Sequence, residues 1–182
     1  MSLTKTPICD FGKQAENFKL KSTDGKFLTL EDLKGKNGTL IMFICNHCPY
    51  VIHYHGEIVK LSIDYNQKIN MVAISSNDII EYPQDSPERM KELWNSLNLS
   101  FPYLFDETQQ IAKKYKAECT PEFYLFNKER ALVYRGRLDS SSPGNSDEVD
   151  GSDLRKAIDL TLDNKDVKFD QFPSMGCNIK WK

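Results

Sequence analysis

The sequence predicts an α/β sandwich of three layers, a mixed central sheet with helices on both faces, and three observations carry that prediction. Leu40 to Ile44 and Ile69 to Ser75 are apolar runs of strand length, and Tyr50 to Gln67 between them is long enough for a helical crossover. Two such runs joined that way are parallel neighbours in one sheet. Glu122 to Phe126 and Ala131 to Tyr134 flank Asn127-Lys128-Glu129-Arg130 and read as an antiparallel hairpin. Leu154, Ala157, Ile158, Thr161 and Leu162 recur at helical spacing and supply a closing helix.

The remaining elements follow in order. Phe18 to Leu30 alternates apolar residues around the turn signal Thr23-Asp24-Gly25-Lys26, which gives an N-terminal hairpin. Ser86-Pro87-Glu88 is a helix start, with Met90, Leu93, Trp94 and Leu97 at i, i+3, i+4 and i+7 behind it. Phe101 to Phe105 is a short strand, and Asp106 with Gln109 resembles a capping box for a helix through Tyr115. Ser140 to Gly151 is polar and acidic, a surface loop, and a C-terminal tail extends beyond the last helix. At 182 residues the chain is read as one domain, 1–182.

The formal net charge is only -2, and Lys and Arg are spread along the chain, so nucleic acid and anionic membrane surfaces are poor partners. Leu40 to Ile44 is far shorter than the roughly 18 apolar residues a membrane span requires. Met1 to Phe18 lacks the apolar stretch of a secretory signal, and the expected location is cytoplasmic. Five cysteines, Cys9, Cys45, Cys48, Cys119 and Cys177, are too few and scattered for a disulfide framework, which leaves catalytic and structural thiols.

Ile41 to Val51 concentrates the chemistry. Cys45 and Cys48 stand where a buried strand meets a helix. A thiol at a helix start faces unpaired N–H groups and a positive dipole, so the reading places an acidic, nucleophilic thiolate at Cys45. Cys48, one turn on, is in reach to close a disulfide with it. Thiol–disulfide exchange is the predicted activity.

A strand ending in C-x-x-C, a βαβ unit, Thr120-Pro121 before an edge hairpin and a closing helix together resemble the thioredoxin superfamily over most of the chain. More narrowly, C-N-H-C-P-Y-V at 45–51, S-S-N-D at 75–78, C-T-P-E at 119–122, Y-R-G-R-L-D at 134–139 and G-C-N-I-K-W at 176–181 resemble one redoxin branch. That branch is grouped with the alkyl hydroperoxide reductases and thiol-specific antioxidants. The resemblance implies a thioredoxin-like fold, Cys45 as attacking thiol, Cys48 as resolving thiol and Pro121 as a cis-proline beside them, with Asn46, His47 and Thr120 in support. It implies no cofactor. The partners it implies are a disulfide-containing protein or small-thiol substrate and an external thiol reductant, with neither nucleic acid nor membrane involved. The bend at Thr120-Pro121 is expected to leave backbone groups open to a bound peptide.

Several positions depart from thioredoxin. Ile44 and Thr39 replace its tryptophan and buried acid, and no Asp or Glu occurs between Asp32 and Glu57. The base for Cys48 is therefore His47, water or a group distant in sequence. His47 is expected to donate to a Cys45 thiolate or add positive charge, which makes the potential more positive than thioredoxin's.

Two alternatives stay open. A peroxiredoxin-like peroxidase would use Cys48 or Cys45, but Cys45 stands where those enzymes carry Thr. No Arg falls between Cys119 and Phe126, so Arg135 or Arg137 would have to clamp the peroxide. A copper or zinc module would draw on Cys45, His47, Cys48, His53 and His55. His55, however, is about 10 Å along a helix from Cys48, and no second ligand pair exists, so no metal is expected. His55 is read as a boundary histidine with a hydrogen-bond partner. Cys119 lies near the pair as a small buried hydrophobe or an additional thiol. Cys177 is a tail anchor with Ile179 and Trp181 or a third thiol, and Cys9 is inert.

Overall fold

The computed structural model describes residues 3–7 and 10–182; Cys9 lies outside them. In chain order the elements are β1 (Leu3–Lys5), β2 (Lys19–Ser22), β3 (Phe27–Thr29), α1 (Leu30–Leu33), β4 (Gly38–Phe43), α2 (Pro49–Asp64) and β5 (Asn70–Ser75). A 3-10 turn (Pro83–Asp85) leads into α3 (Pro87–Ser96), β6 (Tyr103–Phe105), α4 (Gln110–Tyr115), β7 (Cys119–Thr120) and β8 (Glu122–Asn127). β9 (Leu132–Gly136), α5 (Ser152–Leu162) and β10 (Met175–Asn178) complete the chain.

Seven strands form the central sheet in the order β3-β2-β6-β5-β4-β8-β9. β4 pairs in parallel with β5, and β5 with β6, while β8 runs antiparallel to β4 and β9 antiparallel to β8. The sheet is thus mixed, as the run lengths predict. Successive residues of β4 point to opposite faces, so its unbroken apolar run fills two cores. Leu40 and Met42 join the stripe Val51, Tyr54, Ile58 and Leu61 of α2, with Met90 and Trp94 of α3 and Leu154 and Ile158 of α5. Ile41 and Phe43 face the other way, onto Leu30 and Leu33 of α1 and Ile111 and Tyr115 of α4. Each fully buried side chain of this size contributes about 1.5 to 3 kcal/mol.

The N-terminal hairpin forms as expected, with Gly25 at φ +84° supplying the left-handed turn residue. α3 begins as read, with Ser86 Oγ accepting from the Arg89 N–H and Pro87 at the first position. α4 does not. Asp106 Oδ2 accepts from the Ala112 N–H and the Ser76 hydroxyl, both at 2.9 Å, and Gln109 sits at φ +62°. The Gln109 amide cannot complete a capping box because it donates to the carbonyls of Ser76 and Lys180, each at 2.8 Å. That contact fastens the C-terminal tail.

The tail forms β10, the middle strand of a second small sheet, β1-β10-β7. Its register sets Cys177 opposite Thr120 on one side and Leu3 on the other. Gly176 permits this approach, since a Cβ there would strike the Thr120 carbonyl. No helix among the described residues is long and apolar enough to cross a membrane.

A buried ion pair braces the start of β8. Glu122 Oε1 accepts from Arg135 Nε at 2.9 Å and from the Tyr124 hydroxyl at 2.7 Å, and Glu122 Oε2 accepts from the Glu118 N–H at 3.1 Å. The guanidinium also donates to the Lys116 carbonyl at 2.7 Å. Removing one member strands the other charge in the interior. Arg135→Met is expected to lower stability by about 3 to 5 kcal/mol in urea unfolding; a loss below about 1 kcal/mol would contradict a shared burial.

Candidate active site

The antiparallel register of β4 on β8 pairs Phe43 with Glu122. Continued two residues beyond the strand end, it sets Cys45 against Thr120. The Thr120-Pro121 peptide is cis, and Cys45 Sγ lies 3.3 Å from Thr120 Oγ1. Cys48 Sγ lies 3.1 Å from the Thr120 carbonyl oxygen and 2.8 Å from Cys177 Sγ. No disulfide joins the four described cysteines, Cys45, Cys48, Cys119 and Cys177, to one another. One threonine thus presents a hydroxyl to one sulfur and a carbonyl to the next, while β10 brings a third sulfur to the second.

The placement of Cys45 at the helix start is corrected here. α2 begins at Pro49, and Cys48 is its N-cap residue, its carbonyl accepting from the Val51 and Ile52 N–H groups at 3.0 Å. Pro at the first helical position fixes that boundary, since its missing N–H is one of the orphans in any case. The helix therefore favours an anion at Cys48, three residues later than expected. The Cys48 pKa is brought down to about 5. The hydrogen bond from the Cys45 thiol is the largest cause and burial opposes it; the Cys177 thiol and the backbone of Cys177 and Val51 add to it. Cys45 moves the other way, well above the ordinary thiol range. Its hydrogen bond to Cys48 comes first, then burial and the nearby charge of Asp85, with the Thr120 hydroxyl opposing. Cys177 is pushed up to about 12 by burial and then by its hydrogen bond to Cys48.

The expected hydrogen bond from His47 to Cys45 is not formed. His47 Nδ1 lies 2.7 Å from Asp85 Oδ2, and its ring stacks on Tyr82 at 5.3 Å and 10°. Asp85, which the sequence does not single out, holds the loop between the cysteines. It is fully buried, and it also accepts from the backbone N–H groups of Asn46 (2.8 Å) and His47 (3.3 Å) and from Asn77 Nδ2 (2.7 Å). Burial alone would raise its pKa, but these bonds from His47, Asn77 and Asn46 outweigh burial and hold it below its ordinary value. The loop between the cysteines is thus shaped by a carboxylate more than thirty residues downstream. Asn46 is tied further by donating Nδ2 to the Gln84 carbonyl at 3.0 Å.

Asn77 links this carboxylate to the tail: its Oδ1 accepts from the Lys180 N–H at 2.9 Å, while the Asp78 N–H donates to the Lys180 carbonyl at 2.8 Å. Lys180 Nζ in turn sits over the Tyr82 ring at 5.6 Å. The S-S-N-D and G-C-N-I-K-W segments are therefore two sides of one junction. β10 also fills the edge beside Thr120 that was expected to stand open to a peptide.

Cys119 Sγ lies 3.8 Å from the Pro121 carbonyl, buried, with its pKa raised by burial and then by the charge of Glu122. His53 Nε2 contacts Ser141 Oγ at 3.1 Å, whereas His55 Nε2 is buried without a hydrogen-bond partner among the described residues, contrary to expectation. Burial lowers the His55 pKa accordingly. Cys45, His47 and Asp85 each offer a ligand atom within 4.8 Å of the others. That is three donors where zinc takes about four, and two of them are already hydrogen-bonded to each other.

A structure described as an uncharacterized conserved protein from Geobacillus kaustophilus superposes with a TM-score of 0.97 at 48% identity, covering 100% of this chain and 97% of that one. A thiol-disulfide oxidoreductase ResA of Bacillus thuringiensis (strain Al Hakam) is 28% identical over 126 residues, 67% of this chain and 66% of its own length. The chain thus spans just under two thirds of that relative. A thiol:disulfide interchange protein DsbE of Chlorobium tepidum superposes at a TM-score of 0.67 with 18% identity, covering 84% of this chain and 98% of that one, a likeness of fold. Residues 11–158 match the family described as Redoxin. With the mixed sheet and flanking helices described above, the chain belongs to the Redoxin family and has a thioredoxin-like fold.

Proposed function

We propose that the protein is a thiol–disulfide oxidoreductase working through Cys45 and Cys48, with Cys48 as the attacking thiolate and Cys45 as the resolving thiol. One observation carries this reading: Cys48 is the N-cap residue of α2 with the Cys177 sulfur 2.8 Å from its own, a position that favours an anion there. The roles read from sequence are reversed because the helix starts later. The Cys48 thiolate attacks one sulfur of a substrate disulfide, forms a mixed disulfide and releases one substrate thiolate. Cys48 then no longer draws on the Cys45 thiol, which removes the strongest influence holding that proton. Cys45, deprotonated, attacks the Cys48 sulfur; the Cys45–Cys48 bond forms, the second substrate thiolate leaves, and the released proton passes to it. An external thiol reductant restores the pair, and disulfide-bearing proteins or small disulfides are the substrate class.

Peroxide reduction is disfavoured by where the guanidiniums lie. Arg135 answers Glu122, and Arg137 Nε donates to Asp153 Oδ2 at 2.7 Å, so both charges are already engaged by carboxylates.

Both cysteines are buried, Cys45 at 1% exposure and Cys48 at 0%. Exchange therefore waits on a local opening of the cover, which includes β10. Alkylation of Cys48 by iodoacetamide at pH 7 should level off as the reagent concentration rises, opening having become limiting. A rate that stays proportional to reagent and matches a free acidic thiol contradicts a closed cover.

Two further outcomes test the assignment. With Cys177 also replaced by serine, so that only the pair is read, Cys45→Ser is expected to accumulate a mixed disulfide with a model disulfide substrate, while Cys48→Ser traps none; the opposite pattern on gels would restore Cys45 as the nucleophile. In wild type, the thiolate absorbance near 240 nm should fall as pH drops through about 5. Since the Cys45 hydrogen bond favours the charged form of Cys48, Cys45→Ala should shift that midpoint upward; an unmoved or lowered midpoint assigns the acidity to another cause.

A further inference from the structure

The geometry points to Cys177 as a third redox thiol that takes Cys48 from Cys45, forming a Cys48–Cys177 disulfide that passes the oxidised bond to the C-terminal strand. This rests on the proposed exchange activity and extends it, because a C-x-x-C mechanism needs no third sulfur. The two sulfurs are 2.8 Å apart, and a disulfide bond of about 2.05 Å requires them to close by only ~0.8 Å.

The approach is built into the backbone. Cys177 is paired with Thr120 on β7 and with Leu3 on β1, and Gly176 leaves room for the Thr120 carbonyl. Three residues on, the Lys180 backbone is held by Asn77, Asp78 and Gln109. Cys177 is the least buried of the three cysteines, at 5% exposure against 1% and 0%. Its proton is held first by burial and then by the hydrogen bond to Cys48, and the charge of Lys180 opposes both. Oxidation of Cys48 removes the second of these while burial and Lys180 remain.

The exchange balances without an outside oxidant. The Cys177 thiolate attacks Cys48 Sγ of the Cys45–Cys48 disulfide; the Cys48–Cys177 bond forms and the Cys45–Cys48 bond breaks. The electron pair leaves on Cys45, which takes up the proton that Cys177 lost. Electrons neither enter nor leave the chain, and Cys45 is a thiol again.

Trypsin separates the sulfurs conveniently: residues 37–60 carry Cys45 and Cys48, and residues 169–180 carry Cys177. Reduced full-length protein is oxidised with one equivalent of 4,4′-dithiodipyridine, quenched in acid, alkylated, digested and read by mass. The expected result is a joined 37–60/169–180 species in wild type. It should account for nearly all intramolecular disulfide in Cys45→Ala and vanish in Cys177→Ala, where only the Cys45–Cys48 bond remains. If wild type forms the Cys45–Cys48 bond and neither it nor Cys45→Ala yields the joined species, Cys177 is not a redox thiol while the two-cysteine reading stands. If no variant forms any disulfide at Cys48, the exchange reading itself fails and this inference with it.

Discussion

Three sulfurs packed together inside a dry interior cannot each carry a negative charge, so the distribution of one charge among them governs the chemistry of the group. Cys48 lies between Cys45 and Cys177 and can receive a hydrogen bond from both. The start of α2 at Pro49 adds a positive field at the same sulfur. Asp85 disfavours the charge at Cys45 from the other side. Burial opposes them at Cys48 and the Thr120 hydroxyl opposes them at Cys45, and the balance is an acidic thiol with two protonated neighbours.

A charge placed this way depends on a loop held still. Residues 45–48 form no regular element, and Asp85 supplies what a ladder would have supplied, accepting from two of their backbone N–H groups and from the His47 ring. A buried carboxylate is costly unless its lone pairs are filled, and here His47, Asn46 and Asn77 fill them. Asn77 then spends its carbonyl oxygen on Lys180. The active loop, the 3-10 turn and the C-terminal tail are therefore set by one shared network, in which displacing any member leaves a buried polar atom unpaired.

Much of the frame was legible because it rests on local periodicity. The alternation of Leu40 and Met42 with Ile41 and Phe43, the Thr23-to-Lys26 turn and the Ser86-Pro87 helix start are each written in a few adjacent residues. The helix boundary at the site was written there as well, in Pro49, but C-x-x-C drew the helix start forward to Cys45. Asp85 was not legible, since nothing within Tyr82-Pro83-Gln84-Asp85 distinguishes a buried acceptor from a solvated loop acid. Gln109 was misread for a related reason: its spacing from Asp106 suits a local cap, yet its amide is committed to Lys180, 71 residues away. Contacts at such separation leave no periodic trace. The nearness of Cys177 to Cys48, 129 residues apart, belongs to the same class.

What holds β10 in place decides whether the third sulfur is a participant or a bystander. If the hydrogen bond between the sulfurs were the fastening, oxidation of Cys48 would release the strand and carry Cys177 away from the bond it could attack. The fastenings are instead backbone pairs to β1 and β7 and the Lys180 bonds to Asn77, Asp78 and Gln109, none of which involves a sulfur. They outlast any change in the redox state of the cysteines. The separation of Cys48 and Cys177 is therefore imposed by the fold, and a nucleophile held in contact with its target without further ordering has already met the entropic cost that usually slows exchange between thiols.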